Sequence, residues 1–137
     1  MRKIITMLFL CALSLTSFSQ IANESELYGS WKVAEILETH TNPNVQPLIT
    51  GFKNATFTFS ENGNFDIATT VNSELFEMLT EMMDGAKWKF EKSKQQVRIG
   101  TEKDGYTIMG IIIKEENGTK LFHLMESELT LQMKKVL

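Results

Sequence analysis

Few side chains of this sequence are suited to bond-making chemistry, and their spacing does not gather them. The two histidines are His40 and His123. Glu35 and Glu38 lie just upstream of His40, and on a strand Glu38 and His40 share a face. That makes a two-residue site at most, whereas zinc takes three or four protein ligands. His40 also opens a Pro-containing loop, so it reads as a solvated histidine. His123 shares parity with Leu121 and Met125, and both faces of its segment are apolar. Either His123 faces inward, where a neutral imidazole can hydrogen-bond a ligand, or Phe122 and Leu124 do and the imidazole is wet. No serine lies in a Gly-x-Ser-x-Gly setting. Glu115 and Glu116 are adjacent and point to opposite faces of a strand, and Glu126 and Glu128 flank a turn. No Gly-rich phosphate loop is present. The expectation is a protein that is not an enzyme, with no metal site and no cofactor.

What remains is apolar chemistry. Met78, Met82, Met83, Met109, Met125 and Met133 accompany a large aromatic content, and three of these methionines fall in one short segment. Methionine is flexible and polarizable and lines adaptable apolar pockets. Two consequences stay open. A Met-bearing helix over a barrel mouth makes a lid for a greasy ligand, or these side chains simply plug the interior, which a small barrel has side chains enough to fill.

The elements that must position these residues follow a leader. Arg2 and Lys3 precede an apolar run from Ile4 to Leu15, and Ser17-Phe18-Ser19 is a small-x-small cleavage site before Gln20. Residues 1–19 read as a cleavable signal peptide, too short in its apolar part to span a bilayer. Cys11, the sole cysteine, falls inside that run; Leu10 before it and the apolar residues after it do not fit a lipoprotein site. Residues 20–137 form one domain, expected in the periplasm or outside the cell. Without Arg2 and Lys3 the 14 basic residues fall to 12 against 17 acidic, a mature charge of -5. That excess of acid argues against a nucleic-acid partner. No later stretch is apolar enough for a membrane span.

From Tyr28 the pattern is mostly strands. Trp31, Val33 and Leu37 share one parity in 29–38. Residues 39–51, with Pro43 and Pro47, read as a loop. Ala55, Phe57 and Phe59 alternate with threonines; Asn62-Gly63 supplies a hairpin turn; Phe65, Ile67, Thr69 and Val71 alternate in return. Residues 73–84 switch to helical spacing, with Asn72 or Ser73 as N-cap and Gly85 beyond the end. Strands resume at 86–92, 97–101, 106–115, 120–126 and 128–136, with Asp104-Gly105 and Asn117-Gly118 at turns. Eight short strands with tight turns describe an all-β, eight-stranded antiparallel up-and-down barrel with one short helix capping its mouth.

Gly29-Ser30-Trp31 resembles the Gly-x-Trp motif that opens the first barrel strand of lipocalins. The runs Ala55 to Phe65, Lys87 to Phe90 and Glu128 to Gln132 resemble the small lipocalin-like domains exported by Bacteroidetes. The resemblance implies a calycin-like barrel with a central cavity. It also implies a structural role for Gly29 and Trp31 at the closed end, with Lys134 or Lys135 packing across the Trp31 ring. The helix at 73–84 departs from it, since typical lipocalins carry their main helix after the last strand. The function expected is binding of a small hydrophobic molecule, its lining Phe57, Phe59, Phe65, Ile67, Trp88, Phe90, Ile108, Met82 and His123. The rival is a filled barrel serving as a structural or protein-interaction module of the cell envelope.

Overall fold

Alternation of apolar and polar residues, punctuated by turn residues that tolerate positive φ, produces eight strands. A computed structural model describes residues 23–38, 46–71 and 73–136. The expected leader with Cys11, His40, and the alternative cap Asn72 lie outside the described residues. The strands are β1 (Gly29–Glu38), β2 (Ala55–Phe59), β3 (Phe65–Thr69), β4 (Lys87–Glu91), β5 (Gln96–Gly100), β6 (Met109–Glu116), β7 (Thr119–Leu124) and β8 (Thr130–Lys135). All ladders are antiparallel, and the order across the sheet is β3-β2-β1-β8-β7-β6-β5-β4. First and last strands therefore pair, Trp31 opposite Lys135 and Val33 opposite Met133. The outermost strands, β3 and β4, meet at one bridge, Asn64 with Lys87. The result is a nearly closed up-and-down barrel. No helix among the described residues is long and apolar enough to cross a membrane.

Turn chemistry sets the hairpins. Asn117 and Gly118 both adopt positive φ, the backbone of the two-residue turn that matches strand twist. In the β2–β3 connection Gly63 alone takes that conformation, and Asn62 instead accepts a hydrogen bond from the Asn64 N–H. Gly29 opens β1 at φ 114°, a conformation L side chains rarely adopt, which explains glycine two residues before Trp31.

The single helix expected becomes two. Helix α1 (Gln46–Lys53) occupies part of the segment read as a loop, and helix α2 (Glu74–Met82) matches the expected helical stretch. Pro47 sits in the first turn of α1, where its missing N–H costs nothing. Ile49 and Phe52, three apart, then give α1 its buried face. Ser73 caps α2, its hydroxyl accepting from the Phe76 N–H at 3.4 Å.

One strand parity also differs from expectation. β1 carries register shifts against β8 between Val33 and Glu35 and between Ile36 and Glu38. Each shift inserts one unpaired residue and switches the face that follows. Ile36 therefore packs against the core while Leu37 is exposed.

The core runs through the barrel interior and into the helices. Trp31, Phe57, Phe59, Phe65, Trp88, Val97, Ile99, Ile111, Phe122 and Leu131 are all buried in it. Phe122 lies at its centre, with ring centroids 5.8 Å from Trp31, 6.0 Å from Phe57 and 5.9 Å from Phe59. It thus ties β7 to β1 and β2 across the interior. Truncation leaves a hole that three aromatic neighbours on other strands cannot refill. Phe122→Ala is expected to lower the unfolding free energy by about 3–5 kcal/mol, measured by urea denaturation, whereas Leu37→Ala at the bulge should leave it within about 0.5 kcal/mol.

Candidate functional site

The expected ligand lining divides between two places. Phe57, Phe59, Phe65, Ile67 and Trp88 are buried and face inward. Phe90 is partly buried against the same core. Ile108 precedes β6 and packs against the core from its margin, and the strand's own buried apolar side chains are Met109, Ile111 and Ile113. His123 and Met82 lie elsewhere. On β7, Phe122 and Leu124 take the interior, and the His123 ring lies on the opposite face, 3.0 Å from the Thr130 hydroxyl. Met82 is 58% exposed, and Met83 takes the buried position beside it. The phase of α2 explains this: with Phe76 inward, Leu79 and Met83 follow at helical spacing, and Leu75, Met78 and Met82 fall on another face.

Rings occupy the space these residues surround. Phe59 contacts Phe65, Trp88 and Phe122, and Phe57 contacts Phe65 and Phe122. Phe57–Phe65, Phe59–Trp88 and Phe59–Phe122 are favoured edge-on arrangements, and the other two pairs are tilted. Two indole N–H groups are spent on backbone carbonyls, Trp31 on Leu27 at 2.9 Å and Trp88 on Ser60 at 3.0 Å. The first of these fastens a 3₁₀ turn (Glu24–Leu27), whose Leu27 is wholly buried, to the start of β1. Lys135 is the last-strand lysine that stands over the Trp31 ring, at 5.4 Å, while Lys134 lies opposite Lys32.

The helices extend the stack outward. Phe52 on α1 lies 6.2 Å from Phe57 and 5.1 Å from Phe76 on α2. Thr69 at the end of β3 donates to the Gly51 carbonyl at 2.7 Å and fixes α1 to the sheet. Gly51 is required there, since a Cβ at this position would overlap the Phe76 ring. So α2 is held by one fully buried ring set against α1. Its other apolar face is bare: Leu75 is 38%, Met78 60% and Met82 58% exposed. Exposed Glu74, Glu77, Glu81 and Asp84 flank that stripe. Sequence reading missed Phe52 and Phe76, and held an inward Phe122 only as one of two alternatives. The three-residue spacing of Ile49 and Phe52 was the signal for the first.

Polar clusters are local. Among the described residues no three His, Cys, Asp or Glu side chains gather to hold a metal. The most connected acid is Asp104, in the turn before β6. Its carboxylate accepts from the Thr101 hydroxyl at 2.8 Å and from the Thr101 and Thr107 N–H groups at 3.0 and 3.1 Å. Desolvation pushes this carboxyl up, and the hydrogen bonds outweigh it and hold the group below its ordinary value. This is a turn-fixing arrangement.

No protein-family model matches the chain, and no curated protein or solved structure matches it either.

Two measurements follow from these contacts. Gly51→Ala should destabilise the protein by about 1–3 kcal/mol through overpacking. In a Phe76→Ala background the same change should cost less than about 0.5 kcal/mol, because the clash is gone; equal costs in both backgrounds would refute the Gly51–Phe76 contact. Because the folded Asp104 pKa is lowered, its contribution is present above the ordinary carboxylate pKa and is lost as pH falls through the folded one. Carboxyl NMR titration should give a low midpoint for Asp104, and Thr101→Val should raise it.

Proposed function

We propose that this chain is an exported, non-catalytic, lipocalin-like barrel that acts in the cell envelope through its outer surface, as a protein-interaction module. The observation that carries the reading is the filled interior: Phe57, Phe59 and Phe122 are fully buried and the Phe122 ring contacts both of the others, so the space a ligand would take holds side chains. The surface best suited to a partner is α2. A bare Leu75, Met78 and Met82 stripe offers adaptable apolar area, and methionine-rich helix surfaces re-pack around varied partners. The flanking acids select a partner segment that is apolar on one side and basic on the other.

A second reading keeps the barrel as a carrier of a small apolar molecule. It is favoured by the single Asn64–Lys87 bridge between β3 and β4, the one place where the wall can part without breaking a ladder. Both readings are separable on the mature chain. A labelled amphipathic peptide with leucines on one face and lysines on the other should bind with saturable anisotropy. The pair Met78→Glu and Met82→Glu should abolish that binding without lowering stability. Unchanged binding by that variant counts against the surface reading. Saturable uptake of N-phenyl-1-naphthylamine with one-site quenching of tryptophan emission, enhanced by Phe76→Ala, would favour the carrier instead.

A further inference from the structure

A cavity of about 460 Å³ opens beside Trp31, where the start of β1, the end of β8 and the β6–β7 turn come together. Its polar lining is Glu115, Thr119, Lys120, Gln132, Lys134 and Lys135. Its volume lies within the range of small-molecule sites.

The charge arrangement is the informative part. Two ammonium groups on the Trp31 face, Lys120 and Lys135, stand near one carboxylate, Glu115, in a chain whose acidic residues outnumber its basic ones, 17 to 14. Lys120 spends its charge on Glu115, at 3.5 Å, and its side chain is only 13% exposed. Lys135 stands 5.4 Å from the Trp31 centroid, and Lys120 stands 6.0 Å from it. Lys134, next to Lys135 on β8, points to the opposite face of the strand, where Lys32 is its partner across the β1–β8 ladder. An indole face offsets an ammonium charge only in part. The site therefore holds positive charge that its own residues do not balance, at a concave place where water is partly excluded. Its other walls are apolar: Trp31, Met133, and Ala34, the residue the first β1 register shift leaves unpaired.

We propose that this cavity binds a small organic carboxylate with a flat apolar body. The carboxylate lies between Lys120 and Lys135, and the body rests on Trp31 and Met133. Charge-assisted bonds in a half-buried site are stronger than those of exposed pairs. The inference does not depend on the role of α2, because none of the cavity's lining residues belongs to that helix.

The test is isothermal titration of the mature protein with naphthalene-2-carboxylate and, in parallel, the neutral naphthalene-2-carboxamide. The carboxylate should bind at one site, and the amide about tenfold more weakly or worse. Lys135→Met should weaken carboxylate binding by about tenfold and lower its salt dependence, and Lys134→Met, on the other face of β8, should leave it unchanged. Lys135 is exposed, so that variant keeps the fold, which thermal melting checks. Equal binding of acid and amide, a Lys135→Met variant that binds like the parent, or no saturable heat at millimolar carboxylate would each overturn the proposal. The α2 variant with Met78→Glu and Met82→Glu should bind the carboxylate normally, so this site and the helix surface stand or fall separately.

Discussion

The architecture depends on one requirement: the aromatic face of a single meandering sheet must leave water, and it does so by meeting itself. Phe122 is where that meeting happens. Its ring touches Trp31, Phe57 and Phe59, residues of strands that lie on the far side of β8 in the sheet order. The β1–β8 ladder supplies the covalently distant hydrogen bonds, and the rings supply the reason for that ladder to form. Edge-on ring pairs add about 0.5–1.5 kcal/mol each beyond the area they bury. A network of ring contacts favours one closed arrangement over the many other sheets open to eight amphipathic strands.

The helices are a continuation of the same stack. Phe57 hands on to Phe52, and Phe52 to Phe76, so a file of rings leads from the barrel interior to the last element outside it. Gly51 allows the final step by leaving room for the Phe76 ring. This ordering explains why α2 presents methionines to solvent: its one aromatic residue has been committed inward, and helical geometry assigns Leu75, Met78 and Met82 to the remaining side. At the other end of β1 the logic is polar. The Trp31 N–H is bonded to Leu27, and lysines collect about its ring.

Much of this architecture can be read from residue order, and the exceptions have specific causes. The β2–β3 hairpin is legible because its alternation is clean and Asn62-Gly63 marks its turn. Strand β1 begins where Gly29 suggests, but its second half is not legible: a bulge belongs to the pairing of two strands, and nothing within 29–38 reveals what β8 requires. Helix α1 hides behind Pro47, which reads as a breaker unless its place in the first turn is known. Met82 and Met83 are adjacent, and only the cap at Ser73 decides which of them turns inward. His123 was undecidable because Leu121, Phe122 and Leu124 make both sides of β7 apolar; Phe122 won the interior through its three ring contacts. The lysine-rich cavity was invisible, since Lys120 and Lys135 are brought together by the β7–β8 ladder and the turn of the sheet.

The lone bridge between Asn64 and Lys87 leaves β3 and β4 with rims whose backbone groups have no ladder partner along most of their length. Such rims invite strand addition from neighbouring molecules, the first step toward fibrous aggregates. Here each rim is only five residues long, and its outward positions include Asp66 on one side and Lys87 and Lys89 on the other. Short, charged borders resist templating. A barrel that stops short of full closure thereby carries its own guard against edge-to-edge pairing.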